Sequence, residues 1–169
     1  MGSNVKFEDF SVQVKAALNE TTIAWLHETA NEVTSQAQRN CVMEDDAGKQ
    51  LKGSYKNVVN EGKGEAQVGS PLESAYWEEW GTGEYAAHKD GRKGWWIYTP
   101  GQKSMGGGKT YATKEDAEKM AAYIREKYHK DAVVTNGRRP NYTLENAFKA
   151  VGDKAVSALQ EELKGRMGK

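Results

Sequence analysis

Between Ser3 and Ala47 the chain contains neither proline nor glycine, the residues that most readily end a helix. Within that stretch Val14, Leu18, Trp25, Leu26, Ala30, Val33 and Ala37 recur at steps of three and four. Such spacing gathers apolar side chains on one helical face. It predicts one long helix from Phe7 to about Asn40, of which about 28 residues would run roughly 40 Å. That is more than a domain of this size needs to cover its own core. Either the whole helix is core, or one end packs on a neighbouring subunit.

Glu44-Asp45-Asp46-Ala47-Gly48 then reads as a solvated polar break, without the spacing of a calcium-binding loop. Gln50 to Lys56 reads as one helical turn. Tyr55, Val58 and Val59 open a strand, Asn60 to Gly64 has turn chemistry, and Glu65 to Val68 returns as the second strand of a hairpin. Val68 to Gly83 (VGSPLESAYWEEWGTG) sets Tyr76, Trp77 and Trp80 between a Gly-Ser-Pro turn and a Gly-Thr-Gly turn. Tyr76 and Trp80 share a helical face, as do Ala75 and Glu79. The expected element is a short helix with an aromatic side and a solvated acidic side carrying Glu78 and Glu79. Gly81 and Gly83 end it, because glycine turns freely to positive φ.

These motifs, in this order, resemble a family of small siphophage proteins, the tail-component or head–tail joining minor proteins of tailed bacteriophages. The parts that carry the resemblance are the long first helix, Gly48 to Ser54 (GKQLKGS), Tyr76 to Gly83 and Arg138 to Phe148 (RRPNYTLENAF), which together span most of the chain. The closing turn departs from the family pattern, since Asn141-Tyr142 follow Pro140 where the family reads more like Arg-Pro-Phe. The resemblance implies a structural virion protein of the head–tail connection, a neck or tail-completion subunit. It implies a homo-oligomeric ring of six copies, or twelve on the portal side, touching connector, tail terminator or tail tube proteins. DNA would pass through the ring without sequence-specific binding. Such a protein is made in the host cytoplasm and built into the virion.

The reading is one domain over 1–169, of class α+β: a long N-terminal helix, a small antiparallel sheet and two further helices packed on it. Residues 84–135 read as an insertion carrying a strand, a Gly-rich loop and a helix. Tyr85 to Gly94 reads as loop, and Trp95-Trp96-Ile97-Tyr98 as a strand whose adjacent tryptophans face opposite ways. One would fill the core and the other lie at the surface or under a loop. Thr99 to Lys109 is Gly-rich. Thr113 caps a helix reaching about Lys130, with Glu115 and Asp116 in its first turn and Ala117, Met120, Ala121, Ile124 and Tyr128 as its apolar stripe. Asp131 to Thr135 is a short strand. Pro140 prevents a helix running through it; Asn141 or Thr143 then caps a last helix with the stripe Leu144, Phe148, Val151, Ala155, Leu159 and Leu163.

Composition narrows the function classes. Twenty-four Lys and Arg balance 24 Asp and Glu, so the basic excess that usually accompanies general nucleic-acid affinity is missing, which leaves room only for a local basic patch. The single cysteine, Cys41, rules out an intrachain disulfide or a cysteine-built zinc site and reads as a buried thiol at the end of the first helix. No apolar run reaches the roughly 20 residues of a membrane helix, and no signal-peptide core is present. In the opening MGSNVK, Lys6 stands where myristoylation needs Ser or Thr. The expectation is a soluble protein without cofactor or membrane association.

Catalytic constellations are missing too. Gly106 to Thr110 (GGGKT) fails the phosphate-loop pattern because Lys103 replaces its first glycine. His27, His88 and His129 have no metal-pairing neighbour at i+3 or i+4. Adjacent Glu78 and Glu79 point about 100° apart on a helix and cannot flank one glycosidic bond. Cys41 lacks a neighbouring base, and no serine sits in a G-x-S-x-G elbow. The chain reads as a non-enzyme. Most of the large aromatics should be core, yet Trp and Tyr also anchor interfaces. The candidate interface residues are Trp77, Trp80, Gly81, Thr82, Gly83, Tyr85, Trp95, Trp96, Gly106, Gly107, Gly108 and Lys109. The competing reading is a carbohydrate- or peptide-binding module built on Trp95 and Trp96.

Overall fold

The computed structural model describes residues 11–42, 46–99 and 108–167. The chain is a mostly helical α+β protein. Helix α1, Ser11–Asn40, is the long helix expected from the first third of the sequence; Phe7 to Phe10 lie outside the described residues. Its C-terminal half supplies Ala30, Val33 and Ala37 to the core, and Cys41 is buried just past its end. Helix α5, Thr143–Met167, runs antiparallel beside it. Trp25 Nε1 donates to the Ala155 carbonyl at 2.7 Å near the middle of both helices, and Asn40 Nδ2 donates to the Thr143 carbonyl at 3.1 Å where the end of α1 meets the start of α5.

Helix α2, Asp46–Ser54, is longer than the single turn expected at Gln50 to Lys56. Asp46, Ala47 and Gly48 belong to it rather than to a polar break; Glu44 and Asp45 lie outside the described residues. Fully buried Leu51 fastens the element to the core. Strands β1, Lys56–Asn60, and β2, Glu65–Gly69, form the expected hairpin. Asn57 pairs with Val68 and Val59 with Ala66. Those four side chains form the less exposed face of the hairpin, and α1 packs against both strands.

After the hairpin comes α3, Glu73–Trp80, followed by a 3-10 turn at Gly83–Tyr85. The expected small sheet resolves into two separate two-stranded antiparallel sheets. The second pairs β3, Trp96–Tyr98, with β4, Val133–Thr135. Between them in sequence lies α4, Lys114–Tyr128. The Thr113 hydroxyl caps it by accepting from the Asp116 N–H at 3.2 Å, as its position predicts. At its other end His129 takes the left-handed conformation and donates its N–H to Arg125 O at 3.1 Å.

The main core joins α1, α2, α3 and α5 through Val33, Ala37, Cys41, Leu51, Tyr55, Ala75, Ala147, Val151 and Ala155. It is built largely from small side chains. Of the α4 stripe only Ala117 and Ala121 are buried, while Met120 and Tyr128 are exposed; Phe148 of the α5 stripe is exposed too. The expectation that most large aromatics fill the core is therefore corrected. No tryptophan among the described residues is fully buried, and Tyr55 is the only large aromatic that is. Trp95 and Trp96 are both half-buried, so neither fills the core alone. No helix of the described residues is long and apolar enough to cross a membrane.

Candidate interaction surface

Helix α3 is inverted relative to its sequence reading. Glu78 and Glu79, expected on a solvated face, are 0% and 6% exposed, whereas Tyr76 and Trp77 are 51% and 42% exposed. The cause is the start of α5. The first N–H groups of a helix have no partner within it, and this helix start is packed against α3. Tyr142, just before it, has a left-handed φ of 51° and no side chain suited to capping. Glu79 fills the gap: its Oε2 accepts from the Leu144 N–H at 2.7 Å and its Oε1 from the Glu145 N–H at 3.0 Å. A carboxylate at a helix N-terminus gains both charge-assisted hydrogen bonds and the helix dipole.

The capping is reciprocal. The last four carbonyls of α3 also need donors from outside it, and each finds one. Gly81 N–H donates to Trp77 O at 2.9 Å, Asn141 N–H to Glu78 O at 2.9 Å, Tyr142 N–H to Glu79 O at 3.2 Å and Ala87 N–H to Trp80 O at 2.9 Å. Two of these donors belong to the segment entering α5. Neither Asn141 nor Thr143 caps α5 as expected. Asn141 Nδ2 lies within hydrogen-bond distance of Asn40 O (2.9 Å), Glu78 Oε1 (3.1 Å) and Thr143 Oγ1 (2.9 Å), so it ties the end of α1 to α3 and α5.

The second oxygen of Glu78 faces Arg138 Nη2 at 2.7 Å. The contact is an ion pair without hydrogen-bond alignment, and the arginine side chain is about two-fifths exposed. Beside this cluster the Tyr55 hydroxyl is buried without an aligned partner. Burial pushes its pKa well above the ordinary tyrosine range; Cys41, Glu78 and Glu79 push the same way, and Thr143 offsets part of the shift.

The Gly-Thr-Gly turn is held from the other side. Gly81 and Gly83 have φ of 72° and 62°, as glycine at a helix end predicts. The turn crosses Asn136-Gly137-Arg138: Thr82 N–H donates to Arg138 O at 2.8 Å, Arg138 N–H returns to Thr82 O at 3.2 Å, and Glu84 N–H donates to Asn136 O at 2.9 Å. The backbones meet so closely that a Cβ on Gly83 would press on Asn136 O and on the Trp96 ring. The crossing thus brings Trp96 to the turn.

The remaining candidates spread outward from this crossing. Trp80 is half-buried, 4.8 Å from the His88 ring and edge-on to Tyr142 at 6.2 Å. Tyr85 is exposed beneath Arg139, whose guanidinium lies 5.4 Å from the ring centre. Arg92 lies 5.2 Å over Trp96. Trp95 and Tyr111 exchange backbone hydrogen bonds of 2.9 and 2.7 Å, which places them side by side on one face, with Lys114 5.7 Å over Trp95 and Lys109 5.3 Å over Tyr111. Gly108 is exposed and its carbonyl accepts from Arg92. Gly106 and Gly107 lie outside the described residues.

Sequence reasoning missed Arg92, Arg139, Lys114 and the two buried glutamates as the residues that shape this region. No group of His, Cys, Asp and Glu among the described residues could hold a metal ion. No family model, curated protein or solved structure matches the chain.

Proposed function

We propose that this chain is a structural assembly subunit that packs against copies of itself, as a neck or tail-completion component of a phage head–tail connection. The observation that carries the reading is the inversion of α3. The helix is fixed at its C-terminal end by backbone hydrogen bonds and from behind by buried carboxylates, so Tyr76 and Trp77 project from a rigid base. Rigid exposed Trp and Tyr side chains supply large contact areas at small entropic loss, which suits an interface anchor. The wider reading, with six copies in a closed ring, contacts to connector, terminator or tube proteins, and a place at the head–tail junction of the virion, rests on the family resemblance of the ordered motifs. Closure of such a ring requires head-to-tail contacts between different surfaces of each copy.

The carbohydrate- or peptide-module reading draws less support, because the Trp95 and Trp96 rings that a sugar would stack on each carry a cation. Sedimentation velocity over a range of concentrations tests the proposal. Assembly predicts a species several-fold heavier than the 18.7 kDa chain, shifted toward monomer by Trp77→Ala. A concentration-independent monomer, or an oligomer indifferent to Trp77→Ala and Tyr76→Ala together, contradicts it.

A further inference from the structure

We propose that the band running from Arg139 past the Gly-Thr-Gly crossing to Lys114 is a contact surface for the phosphodiester backbone of nucleic acid. The chain as a whole is neutral, but its charge is not evenly spread. Residues 84–99, 108–114 and 136–139 carry Lys89, Arg92, Lys93, Lys109, Lys114, Arg138 and Arg139 against only Glu84 and Asp90. Glu84 is occupied, accepting from the Gly94 N–H at 3.2 Å and from Asn136 Nδ2 at 3.1 Å. Arg138 is spent on Glu78. Asp116, in the α4 turn just after Lys114, accepts from the Thr113 hydroxyl at 2.9 Å and pairs with Lys119 at 3.8 Å.

Six of the seven cations are left without a carboxylate among the described residues, and four of the six are held over aromatic rings. None of the ion pairs among the described residues involves Arg92, Lys109, Lys114 or Arg139. Each lies instead over an aromatic ring, at 5.2 to 5.7 Å from the centre. A ring face attracts a cation without neutralising it, so it holds the charge in place and leaves it available. Contacts link the four sites in turn, passing from the Trp96 face of β3 to the Trp95 face. Trp96 abuts Gly83, two residues from Tyr85. Arg92 reaches across to Gly108 O and to Thr110 Oγ1, the latter at 2.8 Å. Lys109 sits between those two residues, and Tyr111 pairs with Trp95.

Such a band is complementary to a regular line of phosphates, which attracts cations independently of sequence and releases counterions on contact. Because the rings already carry cations, the surface offers charge rather than open faces for stacked bases, so the expected contact is to the backbone. An acidic protein partner would need apolar anchors at the centre of its interface, and the cation-covered rings provide little area for them.

The test is fluorescence anisotropy with a labelled 20-base-pair DNA duplex and the full chain, from 20 to 200 mM salt. Three or four phosphate contacts predict a log–log salt slope of about −3 to −4. The triple variant Lys109→Ala, Lys114→Ala, Arg139→Ala should lose at least about tenfold in affinity at 50 mM salt and flatten the slope by about 2 to 3. Its melting temperature should stay unchanged, since all three side chains are exposed. A control with Lys149→Ala and Lys154→Ala on α5 should bind like the parent. The proposal is overturned if the parent shows no salt-dependent binding at 20 mM, if the triple variant binds equally well, or if polyglutamate of matched charge competes as effectively as DNA. Any of those results leaves the self-assembly reading standing, because sedimentation tests that separately.

Discussion

The two ends of the GTG crossing handle charge in opposite ways. On the α3 side two carboxylates are taken out of water and given partners: Glu79 the N–H groups of α5, Glu78 an amide and a guanidinium. On the β3 side cations remain in water over aromatic rings, without carboxylates. Burying a charge is unfavourable unless it is fully paired, so the first arrangement tolerates almost no change. The second is held by weak contacts worth roughly 0.5–1 kcal/mol each and should tolerate substitution well. Structure is concentrated at the acidic pair, whereas Tyr76 and Trp77 on α3 and Lys109, Lys114 and Arg139 of the basic band are exposed.

The largest expected effect tests the crossing that separates the two regions. Gly83→Val combines a positive φ with a Cβ pressed against Asn136 O and Trp96. It should destabilise the fold by about 3–5 kcal/mol, read as a fall in melting temperature of roughly 6–20 °C for a chain of this length. A shift under about 2 °C would show that the crossing yields easily.

Next comes the cap. Glu79→Ala leaves two N–H donors of α5 unpartnered in a packed setting and should lose about 2–4 kcal/mol in chemical denaturation. Glu79→Gln, which retains one acceptor oxygen, should lose about half of that. Equal losses would mean that packing rather than capping holds the two helices together.

A smaller effect concerns Tyr55. Its hydroxyl titrates above the ordinary value of 10.0 when folded, so the neutral phenol stabilises the fold fully below pH 10, and that contribution falls as pH rises beyond 10. Phenolate absorbance should show one of the eight tyrosines ionising only as the protein unfolds. Because the hydroxyl has no aligned partner, Tyr55→Phe should change stability by less than about 1 kcal/mol and remove that late step. Smallest of all for folding is Trp77→Ala, expected within about 0.5 kcal/mol while weakening assembly.

Much of this fold was legible because its signals are local. The Pro- and Gly-free stretch with its three- and four-residue steps marks α1, turn chemistry at Asn60 to Gly64 marks the hairpin, and Thr113 followed by Asp116 marks the start of α4. Gly81 and Gly83 were readable as positive-φ positions for the same reason. The orientation of α3 was not legible. Two glutamates between two tryptophans look solvated unless one knows that α5 begins beside them, and their backbone partners Leu144 and Glu145 lie 65 and 66 residues away from Glu79. One local cue existed: Tyr142 stands where α5 needs a capping side chain and cannot supply one. The α2 boundary was missed because Asp46 to Gly48 has loop composition, and only the burial of Leu51 in tertiary packing makes helix the better choice. The basic band was hidden by whole-chain neutrality, since cations that converge through the crossing are scattered along the sequence.

Hydroxyl-radical footprinting of the full chain, compared between dilute and concentrated solution, tests most directly whether the outward face of α3 exists to meet another copy. The account predicts that Tyr76 and Trp77 become protected as the assembly forms, while exposed Tyr123 and Tyr128 on α4 react equally in both conditions. Undiminished oxidation of Tyr76 and Trp77 in an assembled sample would contradict it.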